Sequence, residues 1–401
     1  MTSQRQFPDA CLSTIASVVI VFVIVLASGA QVMSGRQQLP TGQDKTTQRS
    51  DHDSILNSRD QGEEELRKGT ALTQRGSFSE AIPHLLAARG RASNEYAANF
   101  NLALCYIGTS QFKEAIGILN GLRSSGYNNV DVENLFAQGY IGNSQPPEAL
   151  ASLRKAAALS PQNEKLYSFV ADACMDHKDY SLGLEVIGIG LQNLPQSPRL
   201  HYERAMFLTQ LDRFDQAKQD FEIAAKLPAG SEIGYLAAAH EDLLEGNTSE
   251  AVRIAREGIT RGYENHALLT VLAEALIRSG VSPGQPDFVE AQTVLEKAVT
   301  EHPNDPASQI SLGSLYLMAG RLEEAIAHLE KANQFDPDDP SVYAKLAKAY
   351  QRHGDTQRAQ DALAVLQKLN REQADRISSA PGDRKVGYAS LGVEGEAAVQ
   401  H

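Results

Sequence analysis

The chain has 401 residues, 42% of them hydrophobic but only 6% aromatic, with no tryptophan and a formal net charge of −13. That composition can bury a core, but a thin one built from Ala and Leu rather than from large rings. No basic stripe accompanies the acidic balance, which excludes nucleic acid as an expected partner, because phosphate neutralisation needs clustered Lys and Arg.

Residues 1–10 form a polar segment that carries Arg5. From Cys11 to Ala30 there is no charge, and Val18 to Ala27 reads VVIVFVIVLA. Two readings stay open. As a membrane anchor, residues 11–30 just reach the roughly 20 residues needed to cross a bilayer. As a signal peptide, the apolar centre is followed by the small residues Ser28 and Ala30 at a cleavage-type spacing. Arg5 precedes the segment while Arg36, Lys45 and Arg49 follow it, so the positive-inside count does not set the orientation. The expectation taken forward is an anchored chain with the rest outside the cytoplasm; release to the periplasm or medium after cleavage is the alternative. Residues 31–61 are rich in Gln, Ser, Thr, Asp and Arg and are expected to be a disordered linker, since they cannot bury enough apolar surface to fold.

From residue 62 to 373 one pattern recurs. GSFSEAIPHL (Gly76–Leu85) returns as SQFKEAIGIL (Ser110–Leu119), 34 residues on. The same ruler passes through Ala81, Ala115, Ala149, Gly183, Ala217 and Ala251, slips by six to Ala291, and continues to Ala325 and Ala359. A second small-residue ruler runs through Gly69, Ala103, Ala137, Ala171, Ala205, Ala239, Ala273, Gly313 and Ala347. Within each unit the apolar residues recur at three and four places, which lines a helix face. Small residues mark where two helices approach closely. Glycines such as Gly76, Gly108, Gly142, Gly246, Gly280, Gly320 and Gly354 are expected to stop the first helix of each unit. Prolines near unit boundaries, Pro161, Pro195, Pro228, Pro303 and Pro337, open the next segment. The slip, VSPGQP (Val281–Pro286), falls between the two helices of the seventh unit and is read as tolerated extra length. Residues 374–401 are expected to be a disordered tail.

The 34-residue period, with a small residue, then Tyr106, Tyr140, Tyr316 or Tyr350, then a helix-opening Ala and a closing Pro, resembles the tetratricopeptide repeat. The resemblance implies an all-α fold: a right-handed α-solenoid of about nine helix pairs, here preceded by the N-terminal apolar segment. It departs from the family pattern in lacking Trp throughout, and in Pro146 at a turn aromatic. Gly183 and Gly190 are expected to weaken the second helix of the fourth unit by roughly 1 kcal/mol each relative to Ala.

Nothing in the chain announces chemistry. There is no phosphate loop, and the GIG at Gly188–Gly190 lies inside a helix pattern rather than after a strand. The histidines lack ligand spacing. His240 stands beside Glu241, but adjacent residues point to different helix faces, so a solvated or groove-lining role is expected. DPDDP (Asp336–Pro340) lacks the Gly and distal Glu of a calcium loop and reads as helix capping. GEEEL (Gly62–Leu66) reads as the acidic first turn of the first helix. Cys105 and Cys174, two units apart, read as small core residues and not as a disulfide. No enzyme, metal or cofactor is expected.

In the family, the first helices line a concave groove that holds partner peptides. The resemblance carries this role onto Phe100, Leu104 and Ile107; Asn134, Gln138 and Ile141; Asp172 and Met175; Arg199, Tyr202 and Met206; Leu236, His240 and Leu243; and Ile310 and Leu317. The basic residues with which some members clamp a carboxylate are missing. The groove reads as apolar with polar interruptions, suited to a protein or peptide with apolar segments. The expected function is a non-catalytic scaffold that recruits partners through this groove, with the membrane contacted through residues 11–30. A self-associating structural solenoid and a regulatory subunit of an enzyme are the alternatives.

Overall fold

A computed structural model describes residues 45–227 and 230–379 of the chain, with side chains within 58–372. Among the described residues every regular element is an α-helix. The expectations for residues 11–30 lie outside the described residues; among those described, no helix is long and apolar enough to cross a membrane.

The helices alternate in pairs. First helices are α1 (Lys45–Gln74), α3 (Glu95–Gly108), α5 (Val130–Gly142), α7 (Glu164–Asp176), α9 (Pro198–Gln210), α11 (Glu232–Glu245), α13 (His266–Arg278), α15 (Pro306–Ala319) and α17 (Pro340–His353). Their partners are α2 (Phe78–Ala88), α4 (Phe112–Ser124), α6 (Pro146–Leu159), α8 (Tyr180–Asn193), α10 (Phe214–Lys226), α12 (Thr248–Thr260), α14 (Pro286–Glu301), α16 (Leu322–Phe335) and α18 (Thr356–Ser379). Helices α1–α16 belong to one compact unit ending at Pro337, and α17–α18 to a second beginning at Asp338. Helix α1 opens at Lys45, upstream of residue 62, where the repeats were expected to begin, so the linker reading of 31–61 does not hold from Lys45 onward. Likewise α18 runs to Ser379, past residue 373. Polarity had argued against helix in both places, but Lys, Gln, Arg and Glu are good helix formers and carry a helix outward from a packed stem.

The two small-residue rulers are where helices meet. Ala81, Ala115, Ala217, Ala251, Ala291 and Ala325 are wholly buried. Four residues after them come the buried Leu85, Leu119, Phe221, Ala255, Leu295 and Leu329. These fill the space above the second ruler. A Cβ added at Gly69 would stand 2.6 Å from Leu85 Cγ, and one at Gly313 2.7 Å from Leu329 Cγ. Backbone therefore replaces side chain at the contact, and helices pack closely on an aliphatic core.

The turns correct one expectation. Gly108 and Gly142 are the last residues of α3 and α5 and do not take the left-handed conformation. They are small because Phe78 and Phe112 press on them: an added Cβ would lie 2.3 Å from Phe78 Cδ2 and 2.2 Å from Phe112 Cε1. The left-handed position falls two residues later, at Ser110 and Ser144, and 34 residues on again at Lys178 and Asp212. In other units glycine holds this place, as at Gly76 and Gly246. A left-handed L-residue costs about 1–2 kcal/mol, of which the extra chain entropy of glycine takes back about 0.5–1. Ser110→Gly and Ser144→Gly should each stabilise the chain by about 0.5–1 kcal/mol, read as a rise in the urea midpoint with an unchanged slope.

Helix starts are satisfied locally. Asn94, Asn129, Asp179, Ser197, Ser231, Asn265 and Asp305 each cap the helix that follows through a side-chain oxygen. In the DPDDP stretch Asp339 performs this role, accepting from Ser341 N at 2.7 Å. GEEEL does not open a helix, because α1 is already running there. Glu63 instead accepts from Ser93 N at 2.6 Å, and Glu65 pairs with His84 Nδ1 at 2.6 Å. Neighbouring repeats are stitched together by polar contacts such as Asn129 to Tyr96 Oη (3.0 Å) and Tyr263 Oη to the Gly230 carbonyl (3.0 Å). Cys105 and Cys174 are free, buried thiols. Burial pushes the Cys105 thiol up to about 11, so it packs as a small apolar group.

Candidate partner-binding groove

Successive first helices α3, α5, α7, α9, α11, α13 and α15 pack on one another in a continuous row. Each gives one face to its own partner helix and one to the next repeat, which leaves a remaining strip facing neither.

The groove positions expected from the sequence divide by exposure. Leu104, Ile107, Asn134, Ile141, Leu236, Leu243 and Leu317 are buried and serve packing between helices. Asn134 is tied down: its amide donates to the Leu166 carbonyl of the next repeat at 3.0 Å, while Gln138 donates to Asn134 Oδ1 at 2.5 Å. Phe100, Gln138, Met175, Tyr202, Met206, His240 and Ile310 are half-buried, and Arg199 is exposed. Tyr202, Phe221 and His240 form an aromatic cluster, with Phe221 and His240 stacked at 5.8 Å and the Tyr202 hydroxyl 3.3 Å from His240 Nδ1. Burial pulls His240 down to about 4, so its ring is neutral at physiological pH.

The groove is less apolar than the sequence suggested. Around α7 and α9 it is acidic. Asp172 and Asp176 lie one helical turn apart on α7, and Glu203 projects from α9. Glu203 accepts from Ser168 Oγ at 2.8 Å, and its side chain is 15% exposed. Burial, reinforced by Asp172, raises Glu203 to about 8. Burial raises Asp172 to about 6, with Arg199 opposing. Desolvation on α7 and the neighbouring Asp172 push the Asp176 carboxyl up, although Asp176 itself is exposed. Arg199, 3.8 Å from Glu203 and 3.9 Å from Glu164, is the cation set against them. Burial next to the Glu203 charge also pushes the Tyr202 phenol well above its ordinary range. These carboxylates stand close together with one guanidinium among them, a deficit of positive charge that a cationic group from outside would relieve.

Sequence reasoning named Asp172 among the groove positions but not Asp176 or Glu203. The signal was available: Asp172 and Asp176 share a helix face at i, i+4, and Glu203 lies 31 residues after Asp172, nearly one repeat. Among the described residues no group of three or more His, Cys, Asp or Glu side chains is arranged to hold a metal ion.

Family models described as tetratricopeptide repeat match residues 66–129, 284–348 and 316–380. The chain is 26% identical over 205 residues to TPR repeat-containing protein YpiA of Bacillus subtilis (strain 168), covering 49% of this chain and 45% of that protein. It is 28% identical over 133 residues to the BBSome complex member BBS4 homolog of Drosophila melanogaster, covering 32% and 27%. The chain therefore spans less than half the length of these curated relatives. Among solved structures, a tetratricopeptide repeat protein from Parabacteroides merdae ATCC 43184 is 18% identical with a TM-score of 0.44, over 72% of this chain and 99% of that one. The family models are of a repeat and not of an enzyme, and they cover both early and late repeats of the array.

Proposed function

We propose that this chain of tetratricopeptide repeats is a non-catalytic scaffold whose first-helix row recruits a partner protein. The observation that carries the reading is the mixed strip on α7 and α9. These two helices carry the half-buried Met175, Met206 and Tyr202 together with Asp172, Asp176 and Glu203. A partner segment that brings Lys or Arg between apolar side chains fits that chemistry. Tetratricopeptide repeats generally act in protein interaction, and one relative is by name a member of a multiprotein complex, which supports the same direction. The apolar stretch 11–30 supports a place at the membrane with the repeats outside the cytoplasm; that part of the proposal rests on the amino-acid sequence.

Sedimentation of the purified full chain separates this reading from a self-associating solenoid. A partner-binding scaffold remains monomeric as its concentration rises from about 1 to 100 μM, a range that brackets weak self-association. A monomer–dimer shift within that range would favour the self-associating alternative. Carbonate extraction followed by protease protection in the native cell tests the membrane part: an integral chain whose repeats are cut only from outside is the expected result.

A further inference from the structure

We propose that the folded chain holds His201 as an imidazolium, so that one proton joins α9 to α10 and to the linker ahead of α9, and its loss loosens the helix that carries Tyr202 and Met206. The regulatory meaning rests on the proposed scaffold function; the protonated joint itself rests on hydrogen-bond geometry.

His201 lies in α9 and is 7% exposed. Its Nδ1 is 2.8 Å from Asp220 Oδ1 on α10, and its Nε2 is 3.0 Å from the Pro195 carbonyl, in the linker between α8 and α9. Both partners are acceptors. Arg204 Nε and Nη2 donate to the two Asp220 oxygens, each at 2.6 Å. Although burial opposes it, the hydrogen bonds from His201 and Arg204 hold the Asp220 carboxyl below the ordinary carboxylate range. A neutral imidazole has one N–H and one bare nitrogen, so it would turn a lone pair toward one of these two acceptors inside the core. The imidazolium donates to both.

The same place in other repeats shows which end donates. One repeat earlier, the Tyr167 hydroxyl donates to the Pro161 carbonyl at 3.0 Å. Three repeats later, Gln309 Nε2 donates to the Pro303 carbonyl at 2.7 Å. Each reaches a proline carbonyl six residues upstream, as His201 does. The far end differs. Gln309 Oε1 accepts from His328 Nδ1 at 2.7 Å, and His328 stands where Asp220 stands in the fifth repeat. An amide with one donor and one acceptor meets one acceptor and one donor there. His201 meets two acceptors, which calls for two donors.

The charged groups that reach this joint are Asp220 from α10, Arg204 from α9 itself and, at the start of α9, Glu164 from α7. Glu164 accepts from Ser197 and lies 3.9 Å from Arg199. Asp220 thus serves two cations, Arg204 permanent and His201 removable. When the proton leaves, the remaining N–H stays with the carboxylate, because a charge-assisted hydrogen bond is the stronger one. The bond released is the one to Pro195. The joint is therefore intact at low pH and is lost as pH rises.

The test is nuclear magnetic resonance of the full chain labelled with ¹⁵N-histidine. His201→Gln with Asp220→Asn identifies the His201 signals by their loss. That variant also replaces the charged joint by two complementary amides, which still reach Pro195 and Arg204. At about pH 7 both ring nitrogens of His201 should carry protons. Asp220→Asn alone should leave only Nε2 protonated, since the new amide can donate to Nδ1. Between about pH 6 and 9, hydrogen exchange at residues 196–201, measured relative to α13, should quicken about five-fold in the parent, as loss of one ordinary hydrogen bond produces. The double variant should show no such change. A single protonated ring nitrogen on His201 at pH 7, or the same rise in exchange in parent and double variant, would overturn the joint. No partner enters these measurements, so their failure is separate from failure of the scaffold reading.

Discussion

Gly183→Ala should destabilise the chain by about 1–3 kcal/mol, although Ala is the better helix former by about 1 kcal/mol. Gly183 lies in α8, and a Cβ there would stand 2.2 Å from Phe207 Cε1 and 2.4 Å from its Cζ. Phe207 is 1% exposed and belongs to the core shared by the fourth and fifth repeats. Neither ring nor helix can move without disturbing close-packed neighbours. Phe207→Ala should cost about 3–5 kcal/mol, because it empties a ring-sized space in that core. The informative variant is the double one. With the ring gone the added methyl meets no clash, so in the Phe207→Ala background Gly183→Ala should stabilise, by about 1 kcal/mol of helix propensity plus partial filling of the cavity. Denaturant unfolding of the four proteins of this cycle checks the change of sign. An alanine that stabilises both backgrounds equally would mean that Phe207 does not press on α8.

Glu203→Gln should raise the melting temperature at pH 6.5 and raise it further at pH 8. A carboxyl whose pKa is raised in the folded state binds its proton more tightly there than in the unfolded chain. Its folded form is therefore favoured at low pH and loses that advantage as pH rises from the ordinary carboxylate range to the folded pKa. For Glu203, raised to about 8 by burial and by Asp172, the loss is still in progress between pH 6.5 and 8. Below pH 6.5 a contrary effect enters. His177, His240, His266 and His328 all have pKa values lowered by burial, so acid favours their protonation in the unfolded chain and costs stability. The clean window is thus pH 6.5 to 8, in which the parent should become less stable as pH rises. Allowing for solvent at the groove surface, removing the Glu203 charge should recover about 1–3 kcal/mol at pH 8. For a chain of this size that is a few degrees of melting temperature. A parent melting curve that rises between pH 6.5 and 8, or a Glu203→Gln variant with the parent's slope, would contradict the electrostatic account of the groove.

Much of the fold could be read from spacing alone, because repetition multiplies weak signals. One alanine followed by a leucine four places later says little. The same pair at Ala81/Leu85, Ala115/Leu119 and Ala325/Leu329 defines a helix interface, and each of these residues is buried. What spacing could not supply was the cause of each small residue. Gly108 looks like a helix stop until Phe78 is seen against it; Gly183 looks like a weakness until Phe207 is seen in the space it leaves. In both cases the explanation is a ring from another helix.

The acidity of the strip on α7 and α9 was not legible from spacing. Asp172 was placed in it, but the acidity arises only when α9 sets Glu203 beside α7, a juxtaposition across a repeat boundary. Several positions assigned to partner contact, Leu104, Ile107 and Leu243 among them, are instead consumed by packing.

The most direct test of the scaffold reading is photo-crosslinking in the native cell, with a photoreactive amino acid at Arg199, the exposed member of the groove set, and a control at Val289, 57% exposed on α14. The account predicts a discrete adduct with another protein from position 199 and none of that mass from position 289. Adducts from position 199 that are confined to this chain and its own copies would contradict it.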